Sequence, residues 1–214
     1  MKKSIKLFAL VLMFAMAAAA QDIPKMETFL GYTYVRASST SKFPAYSANG
    51  GGGQFAYNFN PYVSVVADIG AAHNSSIGGN RIDNTAANFL FGPRISFRYP
   101  RIRPYFQLLF GGLYLAASSE LSALVAGPSP PLFLPGLPAP APGQAVTVRV
   151  ATHQTAFAMM AGGGLDISIN KHVSFRPIGL DYYLTRLQNL RTQNDNNQNN
   201  LRYTTGFNFT FGAQ

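Results

Sequence analysis

Cysteine and tryptophan are both missing from the 214 residues, Asp and Glu together number 8, and histidine numbers 3. Without cysteine there is no disulfide framework and no thiolate metal site. Beyond residue 20 no run reaches the roughly 18 consecutive apolar residues that a transmembrane helix needs. A helical membrane protein is thereby excluded. Charge of either sign is scarce, at 12% of residues, while aromatic residues reach 13%. A soluble exported domain ordinarily carries more charge than this.

What is present begins with an address. Lys2, Lys3 and Lys6 precede the apolar run Leu7 to Ala17, and Ala18-Ala19-Ala20 stands before Gln21. Basic, apolar and small-residue regions in that order make residues 1–20 a secretory signal peptide and leave 21–214 as the exported domain. Loss of the three lysines lowers the formal charge from +9 to about +6. That excess suits phosphate-bearing partners, namely outer-membrane lipid and lipopolysaccharide, whereas export argues against nucleic acid.

Along the rest of the chain, side chains alternate. In the last such stretch Tyr203, Thr205, Phe207, Phe209 and Phe211 share one face, and Arg202, Thr204, Gly206, Asn208 and Thr210 share the other. Similar segments fall near 26–36, 51–60, 62–72, 86–99, 103–116, 150–169 and 172–186, with the last at 201–212. Each is at least about the 9–11 residues of a tilted membrane-crossing strand. Around Phe89, Phe91, Ile95, Phe97 and Tyr99 the apolar face is too aromatic for water, while Asn88, Arg94, Ser96 and Arg98 face the other way. The expected fold is all-β, an eight-stranded antiparallel up-and-down transmembrane barrel.

Connections alternate in length, which sets direction. Asn60-Pro61, Pro100-Arg101-Ile102 and Asn170-Lys171 are tight, whereas 37–50, 73–85, 117–149 and 187–200 are long. Short turns face the periplasm and long loops the exterior. The segment 117–149 holds the proline runs around Pro128 to Pro142, so it is expected to be a loop without ladder hydrogen bonds. Its Leu132, Phe133, Leu134 and Leu137 make it a possible surface for a partner.

The stretch Tyr57-Asn58-Phe59-Asn60-Pro61-Tyr62-Val63-Ser64-Val65-Val66-Ala67-Asp68 resembles the small outer-membrane beta-barrel domain family. So do Gly162-Gly163-Gly164-Leu165-Asp166-Ile167, Phe175-Arg176, Asp181-Tyr182-Tyr183 and Leu201-Arg202-Tyr203-Thr204-Thr205-Gly206. That family includes the membrane domain of outer-membrane protein A. The resemblance covers nearly all of the exported chain and implies residence in the outer membrane of a Gram-negative-type bacterium. Thr204, Gly206, Phe209 and Phe211 resemble the C-terminal signal read by the barrel-assembly machinery, although Gly212, Ala213 and Gln214 trail the final aromatic. No segment resembles the cell-wall-binding domain of full-length outer-membrane protein A, so cell-wall anchoring is not expected.

An eight-stranded barrel has a bore that side chains can fill. Glu27, Asp68, Arg94, Arg98, Gln107, Asp166, Arg176 and Arg202 fall on the inward parity, and Asp166 and Arg176 flank the turn at Lys171 equally. These charges read either as a plug or as an ion path, and the strand number favours the plug. Asp181 breaks the parity: either a bulge near Pro177-Ile178-Gly179 returns it to the bore, or it lies high enough to meet water. For catalysis, His73-Asn74-Ser75 has the His-x-Ser spacing that resembles outer-membrane lipid A deacylases, with Asp83 the one local acid. The plainer reading is an ordinary histidine at the outer end of a strand. His153 and His172 stand singly, and neither a metal nor any other cofactor is expected. The role that follows is non-enzymatic, structural or surface-interactive, with a small diffusion channel and a deacylase as rivals.

N-terminal sequencing of the membrane-extracted protein should begin at Gln21; a chain starting at Met1 would refute the signal peptide.

Overall fold

A computed structural model describes residues 23–39, 45–77, 80–124, 145–188 and 195–212. Eight strands form one closed barrel in sequence order: β1 (Met26–Ala37), β2 (Tyr46–Asn58), β3 (Val63–Ile77), β4 (Asn80–Ser96), β5 (Ile102–Leu124), β6 (Ala145–Ser168), β7 (Val173–Gln188) and β8 (Asp195–Phe211). Every neighbouring pair is antiparallel, and β8 closes on β1 from Met26↔Phe211 to Ala37↔Asn200. No helix among the described residues is long and apolar enough to cross a membrane. The crossing is made by strands, whose backbone donors and acceptors pair between neighbours in the closed ladder.

Two of the three tight turns share one device. Asn60 Oδ1 accepts from the backbone N–H groups of Tyr62 and Val63 at 2.9 and 2.7 Å. Asn170 Oδ1 does the same for His172 and Val173, at 2.8 Å each. A short amide that can reach its own backbone two and three residues on is why asparagine stands at both reversals.

Side-chain parity divides the two solvents. Leu30, Phe55, Ile69, Phe91, Phe106 and Phe207 point outward and are exposed on the barrel wall, as lipid-facing side chains are. The inward set mixes polar groups with the buried apolar cluster of Val66, Leu90, Leu109, Ala158 and Met160. Three register shifts interrupt the ladders, at Asn74/Ser76, Leu165/Ile167 and Arg176/Gly179. The last takes in Pro177, which has no N–H to give a ladder. It places both Arg176 and Asp181 in the bore, at 0% and 1% exposure. A charge left on the lipid face would cost about 2–4 kcal/mol at mid-depth.

At the outer end the strands outrun the sequence-based boundaries. β3 continues to Ile77 and β4 starts at Asn80, so His73, Ser75 and Asp83 lie on strands rather than in a loop. β8 likewise begins at Asp195, within the expected loop 187–200. β5 runs to Leu124 and β6 starts at Ala145, with Leu124↔Ala145 still paired, so the flanks of segment 117–149 belong to the ladder. The prolines that argued for a loop start only at Pro128, and residues 125–144 lie outside the described residues, as do 1–22. Beyond the bilayer, polar outward side chains meet water and the ladder can continue.

Cysteine placed at exposed Asn197 should react with an impermeant thiol reagent on intact cells, while cysteine at exposed Lys171 should react only after the outer membrane is opened. Labelling of Lys171→Cys alone on intact cells would invert the orientation.

Candidate functional site

The parity of each strand delivers a different polar group to the bore, and these groups join. Arg202 on β8 grips Asp68 on β3 through two bonds, Nη1 to Oδ1 at 2.9 Å and Nη2 to Oδ2 at 2.8 Å. The same guanidinium reaches Asp181 Oδ2 on β7, at 3.3 and 3.2 Å. Gln107 on β5 donates to Asp181 Oδ1 at 2.9 Å and accepts from Arg94 on β4 at 2.6 and 3.2 Å. Arg94 also donates to Gln54 Oε1 on β2, whose Nε2 donates to Asp68 Oδ2 at 2.8 Å. This closes a circuit around the bore. Asn88 adds a bond to Asp68 Oδ1 at 2.6 Å.

A branch completes the enclosure. Arg176 donates to Gln54 Oε1 at 2.8 Å and grips Asp166 on β6 at 2.6 and 3.2 Å. Its guanidinium carbon lies 4.1 Å from the ring centre of Phe29 on β1 and 4.4 Å from that of Tyr105. Arg94 approaches the Tyr105 ring at 4.4 Å as well. Two cations on one electron-rich ring are each stabilised where water is absent. All eight strands therefore contribute to one layer, in which Arg94, Arg176 and Arg202 balance Asp68, Asp166 and Asp181.

Toward the tight turns, Glu27 accepts from Arg98 at 2.5 Å and from Asn58 and Asn208 at 3.0 Å each. Toward the outer end, a cavity of about 30 Å³ is walled by small side chains such as Ala37, Ala48, Ala72 and Ala86. Asn84 Oδ1, Tyr183 Oη and Asn200 Oδ1 are buried on the side chains lining it, without protein partners. Such a space suits about two ordered waters, which polar atoms of this kind can hold.

Each residue singled out in the sequence thus has a definite place. Glu27, Asp68, Arg94, Arg98, Asp166, Arg176, Asp181 and Arg202 all face the bore, and Glu27 with Arg98 forms a separate cluster from the other six. Gln54, Phe29 and Tyr105 carry equal weight without having been singled out in the sequence, where their inward parity was the available signal, and Asn88, read there as inward, joins Asp68. Thr204 and Gly206 face the bore whereas Phe209 and Phe211 face outward, so that motif is split across the wall. A Cβ on Gly206 would lie 2.3 Å from the Leu30 carbonyl oxygen, so the position requires glycine for close approach of β1. His73 Nδ1 bonds Thr85 Oγ1 at 3.0 Å, and Asp83 faces Arg149 at 3.7 Å rather than the histidine.

Eight antiparallel strands, closed, apolar outside and filled with compensated charge inside, define an outer-membrane β-barrel. The outer membrane protein beta-barrel domain family matches residues 7–214, and the chain belongs to that family. Among solved structures it is similar to neisserial surface protein A, at 13% identity and a TM-score of 0.57 over 87% of this chain and 97% of that one. It is also similar to Ail, the attachment invasion locus protein of Yersinia pestis, at 15% identity and a TM-score of 0.53, over 88% of this chain and 100% of that one. A third likeness is to the outer membrane protein OprG of Pseudomonas aeruginosa, at 13% identity and a TM-score of 0.50, over 90% and 98% of the two chains. Among curated protein sequences none matches this chain. The protein is placed in the outer membrane of a Gram-negative-type bacterium.

Replacing Asp166 by Ala should lower the unfolding free energy by about 3–5 kcal/mol, because Arg176 is left buried without its counter-charge. Combining D166A with R176M should cost less than the two single changes added together, by denaturant unfolding of the refolded barrel. Strict additivity would refute the coupling. The exposed pair Asp83–Arg149 serves as a control, worth about 1 kcal/mol or less.

Proposed function

We propose that the protein is a non-enzymatic outer-membrane barrel with a closed bore, acting structurally and through its outer surface. The observation that carries this reading is the side-chain circuit of Gln54, Asp68, Arg94, Gln107, Asp181 and Arg202, which spans the bore with bonded, buried side chains. A diffusion channel would need those bonds broken and their charges exposed to one another. The deacylase reading would need an acid behind His73, and the bond of that ring to Thr85 supports an ordinary wall residue instead.

The β5–β6 hairpin supports a surface role. On β6 the outward side chains change from Ile167, Leu165, Met159 and Phe157 to Thr155, His153 and Arg149, which marks the upper edge of the apolar wall. From Ala117 to Leu124 the hairpin continues beyond that edge, and the possible partner-binding segment 117–149 extends from it. Outward Arg36 and Arg149 stand at the outer end, Arg149 facing Asp83, and these guanidinium groups are suited to lipopolysaccharide phosphates. The C-terminal strand with Thr204, Gly206, Phe209 and Phe211 is the segment offered to the barrel-assembly machinery, after removal of residues 1–20 on export.

In planar bilayers the protein should show only rare, small openings; steady large conductance would overturn the closed bore and promote the channel. Deleting Gly127 to Pro142 should leave the barrel folded while weakening adhesion or partner binding on whole cells. Unchanged binding would remove the loop from the proposal.

A further inference from the structure

Two of the three register shifts are a single extra residue of β7 seen from its two sides. Against β6, Arg176 and Pro177 together stand opposite Asp166 alone. Against β8, Pro177 and Ile178 together stand opposite Thr205 alone. Pro177 therefore has no register partner on either flank, and it brings no N–H of its own. The extra residue reverses the parity of β7 above it, so that Ile178 and Leu180 are exposed on the wall while Gly179 and Asp181 are buried.

This bulge lies within the apolar wall and not at its edge. On β8 the facing residues, Tyr203 and Thr205, stand in the outward file between exposed Leu201 and exposed Phe207. At that depth hydrocarbon gives a carbonyl no donor and a hydroxyl no acceptor. Each lack is met by the other. Thr205 Oγ1 donates to the Arg176 carbonyl oxygen at 2.9 Å, and Tyr203 Oη donates to the Pro177 carbonyl oxygen at 2.7 Å. Two side chains that share the lipid-facing parity of β8 thus bind the backbone of the bulge.

What the bulge positions is in the bore. On its tight-turn side Arg176 grips Asp166 and donates to Gln54, and on its outer side Asp181 accepts from Gln107 and Arg202. Without the extra residue, β7 from Ile178 outward would turn over, sending Asp181 into lipid and Leu180 into the bore. A Cβ on Gly179 would lie 2.4 Å from Thr204 Oγ1, so the chain leaving the bulge passes inward only as glycine. We propose that Tyr203 and Thr205 are positioning residues whose hydroxyls latch the β7 bulge from the lipid side and thereby keep Asp181 in the layer that closes the bore. The inference rests on the closed-bore reading.

Two measurements keep the latch and that reading apart. Amide hydrogen exchange of the refolded protein in detergent micelles reports the latch, and openings in planar bilayers report the bore. In Y203F/T205V the amides of Leu180, Asp181 and Tyr182 should exchange at least tenfold faster than in the wild type, and brief openings should become at least tenfold more frequent. T205S, which keeps the hydroxyl, should match the wild type; T205S as perturbed as T205V would assign the effect to the lost methyl group and overturn the latch. Y32F removes an outward hydroxyl that bonds Asn49 away from the bulge and is the control. If the double variant does not refold, T205V alone is measured and should move both quantities at least threefold. Exchange and openings no greater than in Y32F overturn the latch, and so does faster exchange without more openings. Steady conductance of the wild type would instead overturn the closed bore, and the latch then stands or falls on the exchange of those three amides.

Discussion

Hydrocarbon offers no partner to a backbone N–H or C=O, and the rest of this structure depends on that constraint. An open sheet would leave one edge of β1 and one of β8 unpaired in the membrane, so the two edges close on each other over the whole length of β1. Closure with eight strands then sets the bore to about the width of the side chains that enter it. Once the bore is that narrow, whatever polar group a strand sends inward loses most of its water. It must find its partners among the other strands.

That loss explains the composition of the central layer. Arginine and aspartate alone would leave Arg94 and Arg176 close together with too few acceptors between them. Gln54 resolves the conflict, because its Oε1 accepts from both guanidinium groups while its Nε2 donates to Asp68. Gln107 plays the same double part between Arg94 and Asp181. An amide can bridge cation to anion because it carries an acceptor and donors on one planar group. The rings of Phe29 and Tyr105 supply the remaining faces of the guanidinium planes. Removing one member strands the others, so the layer behaves as a unit.

The outer wall is held to a looser standard. Lipid chains accept any apolar side chain, so the wall needs only the alternation and the aromatic fringes, and these tolerate wide substitution. This accounts for a shared architecture with neisserial surface protein A and Ail at 13% and 15% identity. It also accounts for the freedom of the outer ends, where β5 and β6 extend past the apolar wall.

From the sequence alone, the alternation of Tyr203 to Phe211 against Arg202 to Thr210, the turn asparagines and the family motifs were enough to give the strands, their order and the side each residue faces, because a two-residue period is a local property of extended backbone. The parity conflict of Arg176 with Asp181 was legible as well, since a charge cannot stay in lipid, but only the ladder decided for a bulge over a place high enough to meet water. Local rules stopped at the height of each residue in the barrel. Which inward residues meet depends on the stagger between strands, and only the closed ladder decided that Arg202 reaches Asp68 across 134 positions or that Arg176 shares Gln54 across 122. The same stagger set Glu27 apart with Arg98. That β5 and β6 stay paired as far as Leu124↔Ala145 was likewise a matter of the partner strand and not of either segment's own preference for extension.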